Sequence, residues 1–310
     1  MAEVFDARLL LEAPERFAGM SPPAILGVFG SPVGHSLSPQ FQNAALDAAG
    51  VNGQYVRLEA TEEIFLPAVR ALGRAGFRGA NVTIPFKVAA MEAVDEVDEE
   101  ARQAGGVNTV VVQGDRLLGF STDGMGFSRA IREEFLLDLK DLRVMILGAG
   151  GGAGRAAAVR CAAEGCERLV LVNRTVEKVR GLARALAPKF HSERLAGPAD
   201  RLVAIGMDEG LMAEQLEKID LVVNATSLGM RLGDRLPLPT RLITANLLVF
   251  DMVYTGRKTR LVLAAESAGA RAADGLSMLL HQGALSFELW FEGPAPIDAM
   301  RRALRQAAGR

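Results

Sequence analysis

A glycine-rich turn between an apolar strand and a helix constrains this 310-residue chain more than any other feature. Residues 143–147, Arg-Val-Met-Ile-Leu, form a continuous strand-like run that leads directly into Gly148-Ala-Gly-Gly-Gly-Ala-Gly154. A helical segment over 155–164 follows the glycines, and the next apolar run covers residues 168–172. This succession of strand, glycine turn, helix and strand predicts a βαβ unit with two parallel strands.

The turn fits the Gly-x-Gly-x-x-Ala form of the Rossmann fingerprint, from Gly148 to Ala153. Gly148 would permit the tight turn, Gly150 would let a pyrophosphate approach the backbone, and Ala153 would allow the helix to pack closely on the strand. Gly151 and Gly152 precede the helix, whose first N–H groups can hold phosphates. A plain flexible turn is the alternative, but the position between strand and helix favours dinucleotide binding.

The end of the second strand of this unit decides between NAD and NADP. An NAD site usually has Asp or Glu there, about 20 residues after the glycines, to bind the ribose 2′-OH. Here the strand ends in Asn173, Arg174 and Thr175, with Lys178 one turn further on. Arginine and lysine attract a 2′-phosphate, whereas cations at a helix start without a ligand would oppose the helix dipole. The sequence therefore predicts NADP.

Strand-like and helix-like segments alternate along most of the chain, which predicts an α/β protein with mostly parallel sheets. We expect two α/β domains with a cleft between them. Their predicted limits are an N-terminal extension (1–23), a substrate-binding domain (24–122 plus 276–310) and a Rossmann-type domain (123–275). Within the substrate-binding domain, the acidic stretch 86–104 is predicted to be helical.

Composition excludes several classes of function. The chain has 35 Lys and Arg against 37 Asp and Glu, a net charge of −2, so there is no basic excess for nucleic acid. The N-terminus resembles neither a signal peptide nor a membrane span, and we expect a cytoplasmic protein without a membrane partner. Cys161 and Cys166 match no zinc spacing, so we expect two buried apolar side chains and no metal.

Polar residues also stand where strands are predicted to end, which is where open α/β sheets bind ligands. Ser36 and Ser38 alternate in a Gly- and Pro-rich loop before a helix, where two hydroxyls suit a carboxylate. Capping of that helix by Ser38 is the alternative. Lys87 follows the next such strand, at a predicted helix start, and a single lysine is otherwise an ordinary surface residue.

Nine short motifs follow one another over residues 24–291: HSLSP, NVTIPFK, GGVNTV, STDG, GAGGGAG, NRT, NATSLGM, DMVY and DGLSMLLHQGALSFELW. In this order they resemble the motifs of the shikimate dehydrogenase family. The resemblance implies an NADP-dependent oxidoreductase that reversibly reduces 3-dehydroshikimate to shikimate, a step in the biosynthesis of aromatic amino acids.

The resemblance also implies a role for each matching residue. Ser36 and Ser38 would hold the substrate carboxylate, and Lys87 and Asp123 would form the catalytic pair. Ketone reduction builds negative charge on oxygen, which an ammonium can neutralise by donating a proton. Whether Lys87 is the only acid/base stays open. The further candidates are Thr83, Asn108, Tyr254 and Gln282 for the substrate, and Gly148, Gly150, Gly151, Gly152, Ala153, Asn173, Arg174, Thr175, Lys178, Thr226 and Gly275 for the cofactor.

Three positions depart from the family pattern close to these candidates. Ser121 stands where Asn is usual, Gln42 where His is common, and Thr255-Gly256 where Asn-Pro is common. A quinate/shikimate or aminoshikimate dehydrogenase therefore stays an alternative. A non-catalytic NADP-binding regulator is a more distant one, since it would not need a lysine and an aspartate. We expect a monomer or a homodimer.

Overall fold

The computed structural model describes residues 3–190, 201–231 and 233–310, so parts of the expected ranges 1–23 and 123–275 lie outside the described residues. The chain divides into two compact units. The first unit comprises Met1–Thr122 with Gln282–Arg310, and the second comprises Asp123–His281. Each contains a sheet with helices packed on it, which confirms the predicted α/β class.

The described strands fall into two sheets. They are β1 (Val4–Asp6), β2 (Ala24–Gly30), β3 (Gln54–Glu59), β4 (Gly79–Val82), β5 (Glu96–Val97), β6 (Thr109–Gln113), β7 (Arg116–Phe120), β8 (Arg143–Leu147), β9 (Arg168–Asn173), β10 (Leu202–Gly206), β11 (Leu221–Asn224), β12 (Leu248–Asp251) and β13 (Arg271–Asp274). The first seven form the sheet of the first unit and the last six that of the second.

The described α-helices alternate with these strands. They are α1 (Leu9–Glu12), α2 (Glu15–Ala18), α3 (Ser38–Ala48), α4 (Glu62–Arg70), α5 (Ala90–Ala93), α6 (Glu99–Ala104), α7 (Asp123–Phe135), α8 (Gly152–Glu164), α9 (Val176–Leu186), α10 (Glu209–Leu216), α11 (Arg260–Ser267), α12 (Leu276–Phe291) and α13 (Ile297–Ala307).

The first sheet has the strand order β1-β3-β2-β4-β6-β7-β5 and is mostly parallel. The pairings from β1 through β4 are parallel, and only β6 runs antiparallel to both of its neighbours. The β6–β7 pair is a hairpin that turns at Gly114, which has φ +61°. Because β2 and β4 are parallel neighbours, the loops that follow them start at the same edge of the sheet.

The N-terminal segment, expected as an extension, is part of the first unit from residue 3 onward. β1 pairs with β3 in parallel, with Val4 opposite Arg57. Phe5 and Phe17 are buried in the core of this unit, and Phe17 packs edge to face against Phe77 at 5.4 Å between ring centroids. These residues extend the sheet by one strand and cover its edge.

The stretch 86–104 is not a single helix, so this prediction was wrong in detail. Two short helices, α5 and α6, flank β5, which pairs with β7. Two acidic residues of this stretch have local functions: Asp95 accepts a hydrogen bond from the Leu117 N–H at 2.7 Å. Asp98 caps α6 by accepting from the Ala101 N–H at 2.9 Å.

The second unit has six parallel strands in the order β10-β9-β8-β11-β12-β13. Numbered within the unit, this is the 3-2-1-4-5-6 order of the doubly wound Rossmann fold. Apolar side chains form a core on each face of the sheet. Cys161 and Cys166 are free thiols buried in this unit, as the sequence predicted. The Rossmann-type fold predicted from the glycine turn is therefore confirmed.

Candidate functional site

The loops after β2 and β4 contact each other at the carboxyl edge of the first sheet. The Ser31 N–H donates to the Ile84 carbonyl at 3.2 Å, and the Thr83 N–H donates to the Phe29 carbonyl at 2.9 Å. A Cβ atom on Gly30 would lie 2.8 Å from Thr83 Cγ2, so glycine is required for this approach. The loop that carries the two candidate serines thus adjoins the loop that carries the candidate lysine.

Ser36 and Ser38 lie together at the start of α3. The Ser38 N–H donates to Ser36 Oγ at 3.3 Å. Ser38 is buried and Ser36 is half-buried. The N-cap position of α3 is Leu37, whose side chain makes no capping hydrogen bond. Helix capping by Ser38, the alternative considered from the sequence, is therefore wrong, and its hydroxyl is not used for that purpose.

Lys87 is half-buried in the turns that follow β4. The sequence predicted it at a helix start, but α5 begins three residues later, at Ala90. Its carbonyl accepts the Val107 N–H at 2.8 Å. A Cβ atom on Gly106 would lie 3.3 Å from Lys87 Cβ, so this glycine lets the next loop pass close to the lysine. The backbone of Lys87 is therefore fixed on two sides.

Asn108 and Gln282, both candidate substrate residues, are joined by a hydrogen bond. Asn108 Nδ2 donates to Gln282 Oε1 at 3.3 Å and to Thr122 Oγ1 at 2.9 Å. Asn108 Oδ1 accepts the Thr122 N–H at 2.8 Å. Asn108 and Thr122 are buried, so these bonds fix the orientation of the Asn108 amide.

Four further buried residues, which were not predicted from the sequence as site residues, extend this network: Tyr55, Asn81, Thr109 and Ser286. Asn81 Nδ2 donates to Ser286 Oγ at 2.9 Å and to Thr109 Oγ1 at 3.1 Å. Asn81 Oδ1 accepts from the Tyr55 hydroxyl at 2.8 Å. All four are at most 5% exposed. Their signal in the sequence is a polar residue within an apolar element, such as Ser286 one helical turn after Gln282.

In the second unit, Asp123 is the first residue of α7 and is buried. A carboxylate at a helix N-terminus is stabilised by the N–H groups and the helix dipole. Tyr254 lies after β12 and is half-buried; burial raises the pKa of its phenol above the ordinary value of 10.0. Tyr254 therefore remains a neutral hydroxyl. Gly275, directly before α12, is required because a Cβ atom there would overlap the Met252 carbonyl.

The glycine-rich turn between β8 and α8 is closely surrounded. Gly148 has φ +84°, and a Cβ atom there would lie 2.8 Å from Thr226 Cγ2. A Cβ atom on Gly150 would lie 3.0 Å from the side chain of Asn173. Thr226 itself is held by its hydroxyl, which donates to Asn224 Oδ1 at 2.7 Å. Two candidate cofactor residues, Thr226 and Asn173, thus contact the turn on either side.

The closest approach of helix and turn falls at Gly154, where a Cβ atom would lie 2.5 Å from the Gly148 carbonyl oxygen. Ala153, predicted from the sequence to allow this packing, is only half-buried. Gly151 and Gly152 are exposed at the N-terminus of α8, where N–H groups are available to phosphates.

The carboxyl end of β9 presents cations and no carboxylate. Asn173 ends the strand and donates through Nδ2 to the Thr175 carbonyl at 2.9 Å. Arg174, Thr175 and Lys178 are exposed at the start of α9. The residues present therefore fit NADP: the glycine turn suits the pyrophosphate, and the two cations suit a 2′-phosphate.

Two of the three departures from the family pattern are hydrogen-bonded to backbone. Gln42 Nε2 donates to the Gly283 carbonyl at 2.9 Å, which ties α3 to α12. Thr255 Oγ1 donates to the Arg257 carbonyl at 2.6 Å. Ser121 is buried at the end of β7. Gln42 and Thr255 thus each donate to a backbone carbonyl, while Gln42 Oε1 is buried without a hydrogen-bond partner.

Two negative findings concern the described part of the chain. No helix within it is long and apolar enough to cross a membrane. In the same residues, no group of three or more His, Cys, Asp or Glu side chains is placed to hold a metal ion.

Family models match three segments of the chain. The shikimate dehydrogenase substrate binding domain matches residues 28–110, shikimate / quinate 5-dehydrogenase matches 130–230, and the shikimate 5′-dehydrogenase C-terminal domain matches 275–305. These matches cover the stretches in which most of the nine sequence motifs lie.

Individual proteins agree with the family models. The chain is 42% identical over 285 residues to shikimate dehydrogenase (NADP(+)) of Methanopyrus kandleri, covering 90% of this chain and 94% of that one. Identity to the Moorella thermoacetica enzyme of the same name is 43% over 287 residues, with coverages of 92% and 94%. The crystal structure of Thermus thermophilus shikimate 5-dehydrogenase with NADP(H) and shikimate matches with a TM-score of 0.79 and 34% identity, covering 92% of this chain and 99% of that one. This chain belongs to the shikimate dehydrogenase family.

Proposed function

We propose that this chain is an NADP-dependent shikimate dehydrogenase, which reversibly reduces 3-dehydroshikimate to shikimate and thereby serves aromatic amino-acid biosynthesis. The observation that carries the proposal is the buried network that fixes Asn108 and Gln282 in the first unit. Through Asn81 this network includes the Tyr55 hydroxyl of β3, the strand that pairs with β2, which leads into the loop of Ser36 and Ser38. We further propose a cytoplasmic location and a monomer or homodimer.

The first unit supplies groups that match the polar groups of this substrate. The hydroxyls of Ser36 and Ser38 suit the carboxylate, because both can donate hydrogen bonds to it. Thr83, Asn108 and Gln282 suit the ring hydroxyls, since hydroxyl and amide groups can both donate and accept. Tyr254 of the second unit adds a phenol that burial keeps neutral. A substrate held at several points is oriented for reaction.

Lys87 and Asp123 are the proposed catalytic pair. When NADPH is bound, its nicotinamide supplies the hydride that reduces the substrate ketone. As negative charge develops on the ketone oxygen, the Lys87 ammonium donates a proton to it; in the reverse direction the neutral amine accepts the alcohol proton. We assign to Asp123 the role of orienting Lys87 and favouring its charged form. The residues that would hold NADP are those of the glycine turn, with Arg174 and Lys178 at the 2′-phosphate.

Initial rates with shikimate, quinate and aminoshikimate, each with NADP⁺ and with NAD⁺, test the proposal. We expect the highest kcat/KM for shikimate with NADP⁺. A clear preference for quinate or aminoshikimate would identify the corresponding alternative dehydrogenase, and no turnover with any of the three would contradict an enzymatic function.

Lys87→Ala tests the assigned acid/base. We expect kcat to fall about 10²- to 10⁴-fold, with unchanged affinity for NADP⁺, because a positioned proton donor contributes about that much. Lys140→Ala is a matched control, since Lys140 is an exposed lysine of the second unit, and it should leave turnover unchanged. Near-normal turnover of the Lys87→Ala variant would refute the assignment.

A further inference from the structure

A buried arginine lies beside the loop that carries Ser36 and Ser38. Arg57 is in β3, an interior strand between β1 and β2, and is only 3% exposed. Burial lowers the pKa of its guanidinium. Burying a charged group costs free energy unless hydrogen bonds compensate for the lost water. The contacts of Arg57 therefore indicate what this residue is for.

Arg57 holds the backbone of the serine loop. Its Nε and Nη2 both donate to the Ser36 carbonyl oxygen, at 3.2 and 2.6 Å. With the Gln40 amide oriented so that its nitrogen donates to the Leu37 carbonyl at 2.9 Å, its oxygen accepts from Arg57 Nη2 at 3.1 Å. Charge-assisted hydrogen bonds of this kind are stronger than those between neutral groups. One side chain thus fixes residues 36–40.

A second residue of β3 lies next to Arg57. Tyr55 is two positions before Arg57 and therefore on the same face of the strand. Its hydroxyl donates to Asn81 Oδ1 at 2.8 Å, and burial raises its pKa well above the ordinary value. The same face of β3 thus carries Arg57, which binds the Ser36 carbonyl, and Tyr55, which joins the buried network.

The N-terminal strand covers this arrangement on its outer side. β1 pairs with β3 so that Val4 lies opposite Arg57. Val4 Cγ2 also lies 3.8 Å from the position that a Cβ atom on Gly34 would occupy, so β1 reaches the serine loop itself. With β1 in place, Arg57 has a strand on either side and little access to water. A charge in such a low-dielectric setting acts more strongly on a nearby anion.

We propose that Arg57 is a positioning residue for carboxylate recognition: it holds the Ser36 backbone so that both serine hydroxyls are set to receive the substrate carboxylate, and its buried charge favours that anion. This inference rests on the proposed function, because it takes the carboxylate of shikimate as the ligand of the two serines. It assigns no chemical step to Arg57.

The expected signature is a change in KM without a matching change in kcat. The carboxylate is not on the reacting ring carbon, so its binding stabilises substrate and transition state alike. Because Arg57→Met removes hydrogen bonds from a charged donor, we expect it to raise KM for shikimate about 10- to 100-fold. The kcat should change by less than about threefold, and the NADP⁺ dissociation constant should not change, since loss of uniform binding affects KM alone.

Arg57→Lys provides a second, more conservative variant. Lysine keeps the charge but lacks the planar fork through which two nitrogens reach one carbonyl. We expect a KM roughly 3- to 10-fold above wild type and below that of Arg57→Met, which is a partial rescue. If Arg57→Met does not fold, the KM of Arg57→Lys tests the role of Arg57. Arg70→Met is the matched control, because Arg70 Nη2 donates to a backbone carbonyl, that of Glu92 at 2.8 Å, but is exposed on α4.

The outcomes separate this inference from the proposed function. A wild-type protein that does not oxidise shikimate with NADP⁺ would refute the proposed function. An active wild type together with a folded Arg57→Lys or Arg57→Met variant of wild-type KM would refute the role of Arg57 alone. A parallel decline in kcat, KM and NADP⁺ affinity would mean that Arg57 serves general stability, and would also overturn the inference. A selective rise in KM, absent from the Arg70→Met variant, supports it.

Discussion

Asn81 is the centre of the buried network, and replacing it by leucine should destabilise the first unit in a way that a second substitution partly reverses. The two N–H groups of its amide are shared among the Asn108 carbonyl, Thr109 Oγ1 and Ser286 Oγ, and its oxygen accepts from the Tyr55 hydroxyl. Leucine has the same branched shape as asparagine but can make none of these bonds. The consequences differ among the partners, which allows the cost to be worked out.

Most partners of Asn81 keep other hydrogen bonds. The Asn108 carbonyl still accepts the Val82 N–H at 2.8 Å, and the Thr109 and Ser286 hydroxyls remain 2.8 Å apart. The Tyr55 hydroxyl, in contrast, loses the acceptor of its proton. An unsatisfied buried group costs about 1–3 kcal/mol, and the other lost hydrogen bonds each contributed a small net stabilisation. Together we expect Asn81→Leu to lower the free energy of unfolding by about 2–4 kcal/mol.

Removing the tyrosine hydroxyl as well should restore part of this loss. Tyr55→Phe alone leaves Asn81 Oδ1 without its donor and should cost about 1–2 kcal/mol. In the double variant neither polar partner remains, so the combined cost should be smaller than the sum of the single costs by about 1–2 kcal/mol. The sign of this coupling follows directly from the hydrogen bond between the two residues.

The chain contains a suitable reporter for the assay. Trp290 is the only tryptophan in the sequence, its Nε1 donates to the Val110 carbonyl at 2.9 Å, and its ring centroid lies 6.2 Å from that of Tyr55. Urea unfolding followed by tryptophan fluorescence therefore reports on the first unit, even if the second unfolds separately. The reasoning would be refuted if the losses of the two single variants simply added up in the double variant. It would also be refuted if Asn81→Leu lowered the free energy of unfolding by less than about 0.5 kcal/mol.

Two further predictions concern the second unit. Arg174→Gln should weaken NADPH binding about 10- to 100-fold and NADH binding by less than about threefold, since only NADPH carries the 2′-phosphate; fluorescence titrations measure both, and equal losses would contradict this assignment. The hydrogen bond from Arg143 lowers the pKa of Asp220 below its ordinary 3.8. Because this pKa is lower in the folded than in the unfolded state, the ion pair stabilises the fold at pH values above the unfolded pKa, and this stabilisation is lost as the pH falls through the folded pKa. Asp220→Asn should therefore lower the free energy of unfolding by about 1 kcal/mol at pH 7, and by progressively less below about pH 4. The measurement is the thermal unfolding temperature of the variant and of wild type at several pH values. If the two differ by the same amount at every pH, the ion pair is not the source of the difference.

The parts of the fold that the sequence predicted are those with strong local patterns. The glycine turn between β8 and α8 combines an apolar run, special backbone requirements and a helix, so its prediction needed no distant residue. β1 and β5 carry no comparable signal, because they span three and two residues and exist through pairing with β3 and β7. Pairing of such short segments depends on neighbours that are distant in the sequence.

The candidate site shows the same division. Ser36, Lys87 and Asp123 stand in motifs whose residue types suggest chemistry, whereas Arg57 stands in a strand whose last four residues, Val-Arg-Leu-Glu, alternate between apolar and polar. Such alternation ordinarily places the polar residues in water. In the structure α3 packs on β3, and Arg57 is buried. Only knowledge of the covering helix distinguishes a buried arginine from an exposed one.

The buried network is better explained by orientation than by stability. Each of its hydrogen bonds replaces one with water, so its net contribution is small, and well-packed apolar side chains could give similar stability. What apolar side chains could not do is direct the Asn108 amide, whose oxygen accepts from Thr122 while its nitrogen donates to Gln282 Oε1. With its oxygen committed to Asn108, the Gln282 amide is turned so that its nitrogen, a donor, is on the other side. A hydroxylated ring gains most from donors and acceptors that are already oriented before it binds, because no binding free energy is then spent on ordering them.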